Sequence, residues 1–228
     1  MSKVIVLGDG LLGSELVKQT GWDYVSRKKD KKDLFSLLES VIFNDANVIV
    51  NCIGNTDTYS DDKESMMSIN YRFVVQLVDE LNLDSKKLIH VSTDYAYSNS
   101  VDNATEEDVP VHNATWYGYS KMLADGYIEN FSDNYLICRM THKAKPFPYK
   151  KAWKNQVGNF DYVDKQVERM VKLINEDASG IVNVGGEKTT MLELAYKTKQ
   201  DIKSNECNHP VPTNVTMNTN KMKSLINE

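Results

Sequence analysis

The residues best suited to chemistry begin with Trp116-Tyr117-Gly118-Tyr119-Ser120-Lys121, in which Tyr117 stands four positions before Lys121. On a helix that spacing puts both side chains on one face, while Tyr119, two positions before the lysine, points elsewhere. An ammonium beside a phenol favours the phenolate and draws its pKa down toward the working pH. That would make Tyr117 a general acid/base for a carbonyl–alcohol pair, with Lys121 as its tuner. A tyrosine and a lysine on a helix surface match the same spacing by chance. A second group is Leu88-Ile89-His90-Val91-Ser92-Thr93-Asp94-Tyr95, an apolar run ending in hydroxyls. Open α/β sheets place ligands at the carboxyl ends of such strands, where Thr93 could hydrogen-bond a reacting oxygen beside Tyr117. Alone, Thr93 would simply finish a strand and start a turn.

The third group is Gly8-Asp9-Gly10-Leu11-Leu12-Gly13, set between a strand-like run and a helix-like one. This is the context a dinucleotide-binding turn requires. Gly8 permits the tight turn, Gly10 lets backbone N–H groups approach a pyrophosphate, and Gly13 allows close helix–strand packing. The helix that Leu11 and Leu12 open then faces the anion with its N-terminus. Asp9 is out of place there, since its charge repels a phosphate unless it points away or caps local N–H groups. The next strand ends in Ser26-Arg27-Lys28-Lys29, and Ser26 and Arg27 favour NADP, whose 2′-phosphate a cation holds. Asp30 or Asp33 reaching the ribose would bring NAD back.

These residues need elements to carry them. Residues 3–7 form a β-branched run without alternation, as a strand buried on both faces reads. Further strands are expected over 23–26, 47–51, 87–92, 135–139 and 181–184, and helices over 33–41, 63–81, 116–131, 164–176 and 191–199. Alternation of this kind marks an α/β fold with a doubly wound parallel sheet. Met66, Ile69, Phe73, Leu77 and Leu81 have the spacing of a helix core. The rhythm breaks at 143–151, where two prolines and four lysines suit a surface excursion. Lys143, Lys145, Lys150, Lys151 and Lys154, with Phe147, Tyr149 and Trp153 among them, read equally as a grip for a nucleotide diphosphate and as a solvated loop. A last short helix is expected over 219–226.

The 228 residues hold 27 basic and 32 acidic side chains, a net charge of −5, with 41% hydrophobic content. An ordinary core can be built from this, and nucleic acid is disfavoured as a partner. No apolar run approaches the roughly 20 residues of a membrane span, and Met1-Ser2-Lys3-Val4 leads directly into a strand, so no membrane or export is expected. Cys52, Cys138 and Cys207 are odd in number and widely spaced, which suits a reducing cytoplasm. His90, His112, His142 and His209 lack metal-ligand spacing, and no metal is expected.

Through Gly8–Gly13, Asn51-Cys52-Ile53-Gly54-Asn55-Thr56, Asn70, Ser92-Thr93-Asp94-Tyr95 and Tyr117–Lys121, the chain resembles the extended short-chain dehydrogenase/reductases, and within them the dTDP-4-dehydrorhamnose reductase group. The resemblance is close over 3–139 and continues weakly through 160–164 and 180–186. It implies a Rossmann fold over 1–228, with 141–162 and 186–228 forming a reduced substrate-binding part. It implies Thr93, Tyr117 and Lys121 as the catalytic set. Cys52, Ile53 and Gly54, with Asn51, would pass beneath the cofactor ribose and nicotinamide, and Lys121 would also hold that ribose. Asn70 would pack or cap. The activity implied is NADP-dependent, or NAD-dependent, reduction of a 4-keto-6-deoxyhexose nucleotide, with a nucleotide-sugar epimerase and a non-catalytic cofactor-binding regulatory subunit as alternatives. Helices such as 63–81 often form dimer faces in this family, which points to a homodimer. Tyr95 stands where the related dehydratases carry a glutamate, which speaks against dehydration.

Overall fold

Short runs of Val, Ile and Leu, apolar on both faces, make the central strands. The computed structural model describes residues 3–42, 45–83, 85–111 and 114–228, so Met1-Ser2 and His112 lie outside the described residues. Strands β1 (Val4–Leu7), β2 (Asp23–Val25), β3 (Val48–Asn51), β4 (Lys87–Ser92), β5 (Tyr135–Arg139) and β6 (Gly180–Asn183) form one sheet in the order 2-1-3-4-5-6. All neighbours are parallel. The chain winds outward from β1 to β2, then crosses back to β3. A crevice therefore opens at the carboxyl ends of β1 and β3, where the winding reverses.

The strand period of two divides the core. Val4, Val6, Val48 and Val50 face helices α1 (Leu11–Thr20) and α4 (Val163–Asn175), burying Leu12, Leu16, Met170 and Leu173. Ile5, Leu7 and Ile49 face the other way, against Phe73, Leu77 and Leu81 of helix α2 (63–83) and Ala124 and Ile128 of α3 (Trp116–Phe131). Helix α2 runs as Lys63–Met67, a π turn at Ser68–Arg72, and Phe73–Leu83. The turn inserts one residue into the expected periodicity. Met66, Phe73, Leu77 and Leu81 stay buried, whereas Ile69 is only partly buried. Thr115 caps α3 by accepting the Gly118 N–H at 3.0 Å, which sets the first turn that carries Tyr117.

Beyond the carboxyl ends of β4 and β5, residues 142–162 and 189–215 build a third cluster around Phe147, Phe160, Tyr162 and Leu194. Small sheets hold it: Thr189–Thr190 with Val157–Gly158 and Asn214–Val215, Lys203–Asn205 with Lys151–Trp153, and His142–Lys143 with Asp161–Tyr162. The last helix, Asn220–Ile226, returns to the main sheet and packs Met222 and Ile226 on the α1/α4 face. Among the described residues no helix is long and apolar enough to cross a membrane.

Candidate active site

Two clefts meet at the crevice. One, of about 330 Å³, is lined by Thr93, Tyr95, Tyr117 and Lys121 together with Thr141, His142 and Lys143. The second, of about 900 Å³, runs along Gly8, Asp9, Ser26 and Arg27. Gly10, Cys52, Ile53, Gly54 and Thr56 line both, so the two are one continuous groove. Leu11 and Leu12 lie in the first cleft, beside the glycine turn.

The glycine turn is shaped by sterics at two positions and by open space at a third. Gly8 has φ +97°, the left-handed region that favours glycine. At Gly13 a side chain would run into the Gly8 carbonyl. Gly10 differs, because a Cβ there would meet nothing within 4 Å and its backbone is extended. The fold leaves room for a side chain at Gly10; a group lying in the groove would not. With no side-chain cap and no acid in its first turn, α1 presents its N–H groups to that space. These residues fit a dinucleotide pyrophosphate. Asp9 is turned toward β2, where its Oδ2 accepts from the Ser26 hydroxyl at 3.0 Å. Asp30 accepts the Ser26 N–H and Asp33 accepts the Phe35 and Ser36 N–H groups, so both carboxylates are engaged in their own turns.

Asn70, placed by the π turn, does more than pack. Its Oδ1 accepts the Asn55 N–H at 2.7 Å, and its Nδ2 donates to the Asn55 carbonyl at 3.0 Å and to Ser120 Oγ at 3.1 Å. This clamp holds the 53–56 segment that floors both clefts.

Thr93, Tyr117 and Lys121 do come together in the first cleft. Thr93 donates to Asp94 Oδ1 at 3.3 Å, and Tyr95 meets the Tyr117 ring edge-on at 5.6 Å. Tyr119 instead meets Trp116 edge-on at 5.9 Å and is not part of the lining. The electrostatics differ from the expectation of a lowered phenol pKa. Burial pushes Tyr117 up to about 12, with the nearby Thr93 hydroxyl opposing it in part. The Lys121 amine is committed elsewhere, to the Val91 carbonyl at 2.6 Å and to His90 Nε2 at 3.0 Å, and burial brings it down to about 8.

Asp94 was not singled out by the sequence reading. Its carboxylate is buried, accepts from Thr141 Oγ1 at 2.7 Å, and leaves Oδ2 without a partner. Burial raises it to about 6, with the Lys143 charge opposing. Only the strand-end rule, applied to the residues after β5 as well as β4, could have pointed to Thr141 and His142. The lysine-rich excursion is dispersed. Lys145 pairs with Asp164 and Lys154 with Glu206, Phe147 is buried, and of this group Lys143 and Tyr149 reach the cleft. Among the described residues no group of three His, Cys, Asp or Glu side chains could hold a metal ion.

The family described as the RmlD substrate binding domain matches residues 1–160. Among solved structures, a dTDP-4-dehydrorhamnose reductase from Clostridium acetobutylicum superposes with a TM-score of 0.83 at 17% identity, covering 98% of this chain and 92% of that one. The same enzyme from Bacillus anthracis, in complex with NADP, gives 0.81 at 18% identity with the same coverage. A UDP-glucuronic acid 4-epimerase from Bacillus cereus, in complex with NAD, gives 0.73 at 17% identity over 98% and 90%. At these identities the likeness is one of fold. No curated protein matches the chain.

Proposed function

The chain belongs to the RmlD substrate binding domain family, and from that premise we propose that it is an NAD(P)-dependent reductase of a 4-keto-6-deoxyhexose nucleotide. One observation carries the reading: Tyr117 and Thr93 line a cleft continuous with the groove over the glycine turn. The residues that would hold the dinucleotide are Gly8, Gly10 and Gly13 with the α1 N-terminus, Ser26 and Arg27 at the adenosine end, and Cys52, Ile53 and Gly54 beneath the middle. Bound there, the nicotinamide supplies hydride. Tyr117 supplies the proton that turns the reduced carbonyl into an alcohol, and Thr93 orients the same oxygen. A phenol held near 12 is fully protonated at neutral pH, which is the state a donor needs. Lys121 positions the pair and would contact the nicotinamide ribose.

The substrate would lie against residues 141–144 and Tyr149, with the clusters at 141–162 and 186–228 as a reduced substrate-binding part. Arg27 beside the groove favours NADP, and the neighbouring Asp9 carboxylate moderates that preference. A panel of keto-sugar nucleotides tested for loss of NADPH absorbance checks the reading. An epimerase gives no net oxidation, and a non-catalytic binding subunit binds the nucleotide with no turnover.

A further inference from the structure

The smaller cleft has a charge imbalance. Lys121 and Lys143 both line it, and among the described residues no acidic side chain does. The two lysines differ in what occupies them. Lys121 is 4% exposed, donates to the Val91 carbonyl at 2.6 Å and lies 3.0 Å from His90 Nε2. Lys143 is half-buried, and among the described residues none accepts a hydrogen bond from its ammonium or forms an ion pair with it. An ammonium in that position has given up part of its hydration without gaining an acceptor, a cost that a bound anion would offset.

Acids on the neighbouring elements are engaged elsewhere. The strand His142–Lys143 pairs in parallel with Asp161–Tyr162, and Asp161 Oδ2 accepts from Arg169 Nη1 at 2.8 Å. Asp94 is 1% exposed and outside the lining, with its Oδ1 accepting from Thr141 and Thr93. Burial lowers Lys143 and the Asp94 charge opposes that, without an ion pair between them. His142 is brought down to about 4 by burial and by the Lys143 charge, so it is neutral at neutral pH. The lining therefore carries positive charge with nothing negative beside it, which suits an anionic ligand. The dinucleotide's phosphates belong over the glycine turn in the larger cleft, so an anion in the smaller one is the substrate's own.

We propose that Lys143 is the anion-binding residue of the substrate cleft and holds the diphosphate that joins nucleoside to sugar. The identity of this ligand rests on the reductase reading, in which the substrate is a sugar nucleotide. The hydroxyls of Thr93, Thr141 and Tyr95 in the same lining offer bonds that a neutral sugar can use. The ammonium calls for more, since a charge-assisted bond to a phosphate oxygen is roughly twice as strong as a neutral one. As a point charge on a flexible stem, a lysine takes a phosphate oxygen without demanding one fixed angle. Holding the diphosphate at Lys143 leaves the sugar carbonyl to meet Tyr117 and Thr93, so the same contact selects nucleotide-linked sugars over free ones.

Calorimetric titration of the full chain, with NADP in excess to fill the dinucleotide groove, tests this with thymidine diphosphate, inorganic pyrophosphate and glucuronate as probes. The expected result is that the wild type binds both phosphate probes and that Lys143→Met, which keeps the apolar stem, weakens both by about ten- to a hundredfold. Lys165→Met removes the same charge from an exposed pair with Glu168 and should leave both affinities unchanged. Equal affinities in wild type and Lys143→Met, no binding of either phosphate probe by the wild type, or Lys143-dependent binding of glucuronate and not of pyrophosphate overturns the proposal. If Lys143→Met does not fold, protection of the wild-type Lys143 amine from acetylation by pyrophosphate, read by mass spectrometry beside Lys165, decides instead. None of these signals needs turnover. An inactive keto-sugar panel with Lys143-dependent diphosphate binding refutes the reductase reading alone, and turnover with a KM indifferent to Lys143→Met refutes this proposal alone.

Discussion

Tyr117 and Tyr119 differ in what surrounds them: the first lines the cleft with Thr93, the second meets Trp116 edge-on outside it. Tyr117→Phe removes one oxygen and no packing surface. Nucleotide affinity should persist while turnover falls by roughly a hundred- to ten-thousand-fold, the share of a general acid. Tyr119→Phe should leave turnover near its starting value, and steady-state rates beside NADPH titrations check both. At the far end of the groove, Arg27→Ala should cost NADPH about 1.5–3 kcal/mol, or about ten- to a hundredfold in affinity, and leave NADH nearly unchanged. Asp9→Asn should shift the balance the other way, toward NADPH. Asp94 sets a pH dependence. Its folded pKa of about 6 lies above the ordinary 3.8, so the folded state holds the proton more tightly. That contribution to stability is complete below 3.8 and is lost as pH rises through about 6. Asp94→Asn removes the titration, so relative to wild type it should gain about 1–3 kcal/mol between pH of about 4 and about 7 in thermal unfolding.

The element that most shapes the site is α2, because its π turn puts Asn70 where it can hold both backbone groups of Asn55. Such turns cost regular hydrogen bonding and are found where a side chain is needed at a position the α period does not reach. Asn70→Ala would leave the Asn55 N–H and C=O without partners. The expected cost is about 1–3 kcal/mol in stability, with faster hydrogen exchange at Asn55 and weaker NADPH binding. Unchanged exchange at Asn55 would remove the clamp from the account. The helix itself was legible from the spacing of Met66, Phe73, Leu77 and Leu81. The inserted residue was not, since an apolar pattern with one extra position still reads as a helix.

Across the whole molecule, Arg139 ties the layers together. It is buried at the end of β5, bonds Asp125 of α3 through Nε at 3.1 Å, and donates to the Tyr97 hydroxyl at 2.8 Å. Tyr97 in turn donates to Asn183 of β6 at 2.9 Å. Arg139→Met would strand the Asp125 carboxylate in the core and should destabilise by about 3–5 kcal/mol, whereas adding Asp125→Leu should recover much of the loss in the same unfolding assay. By itself the sequence determined the order of the six main-sheet strands, the bounds of β4, β5 and α3, the glycine turn, and the placing of Tyr117 and Lys121 on one helix. These depend on the local periods of two and 3.6 residues, on caps and on turn chemistry, which short stretches of chain carry. Only the tertiary structure decided the partners of Lys121, the burial of Asp94, and the separation of Lys143 from Lys145 and Lys154. A pKa or an ion pair depends on which groups stand opposite and how much water reaches them, and here those groups come from strands and loops far apart in the chain.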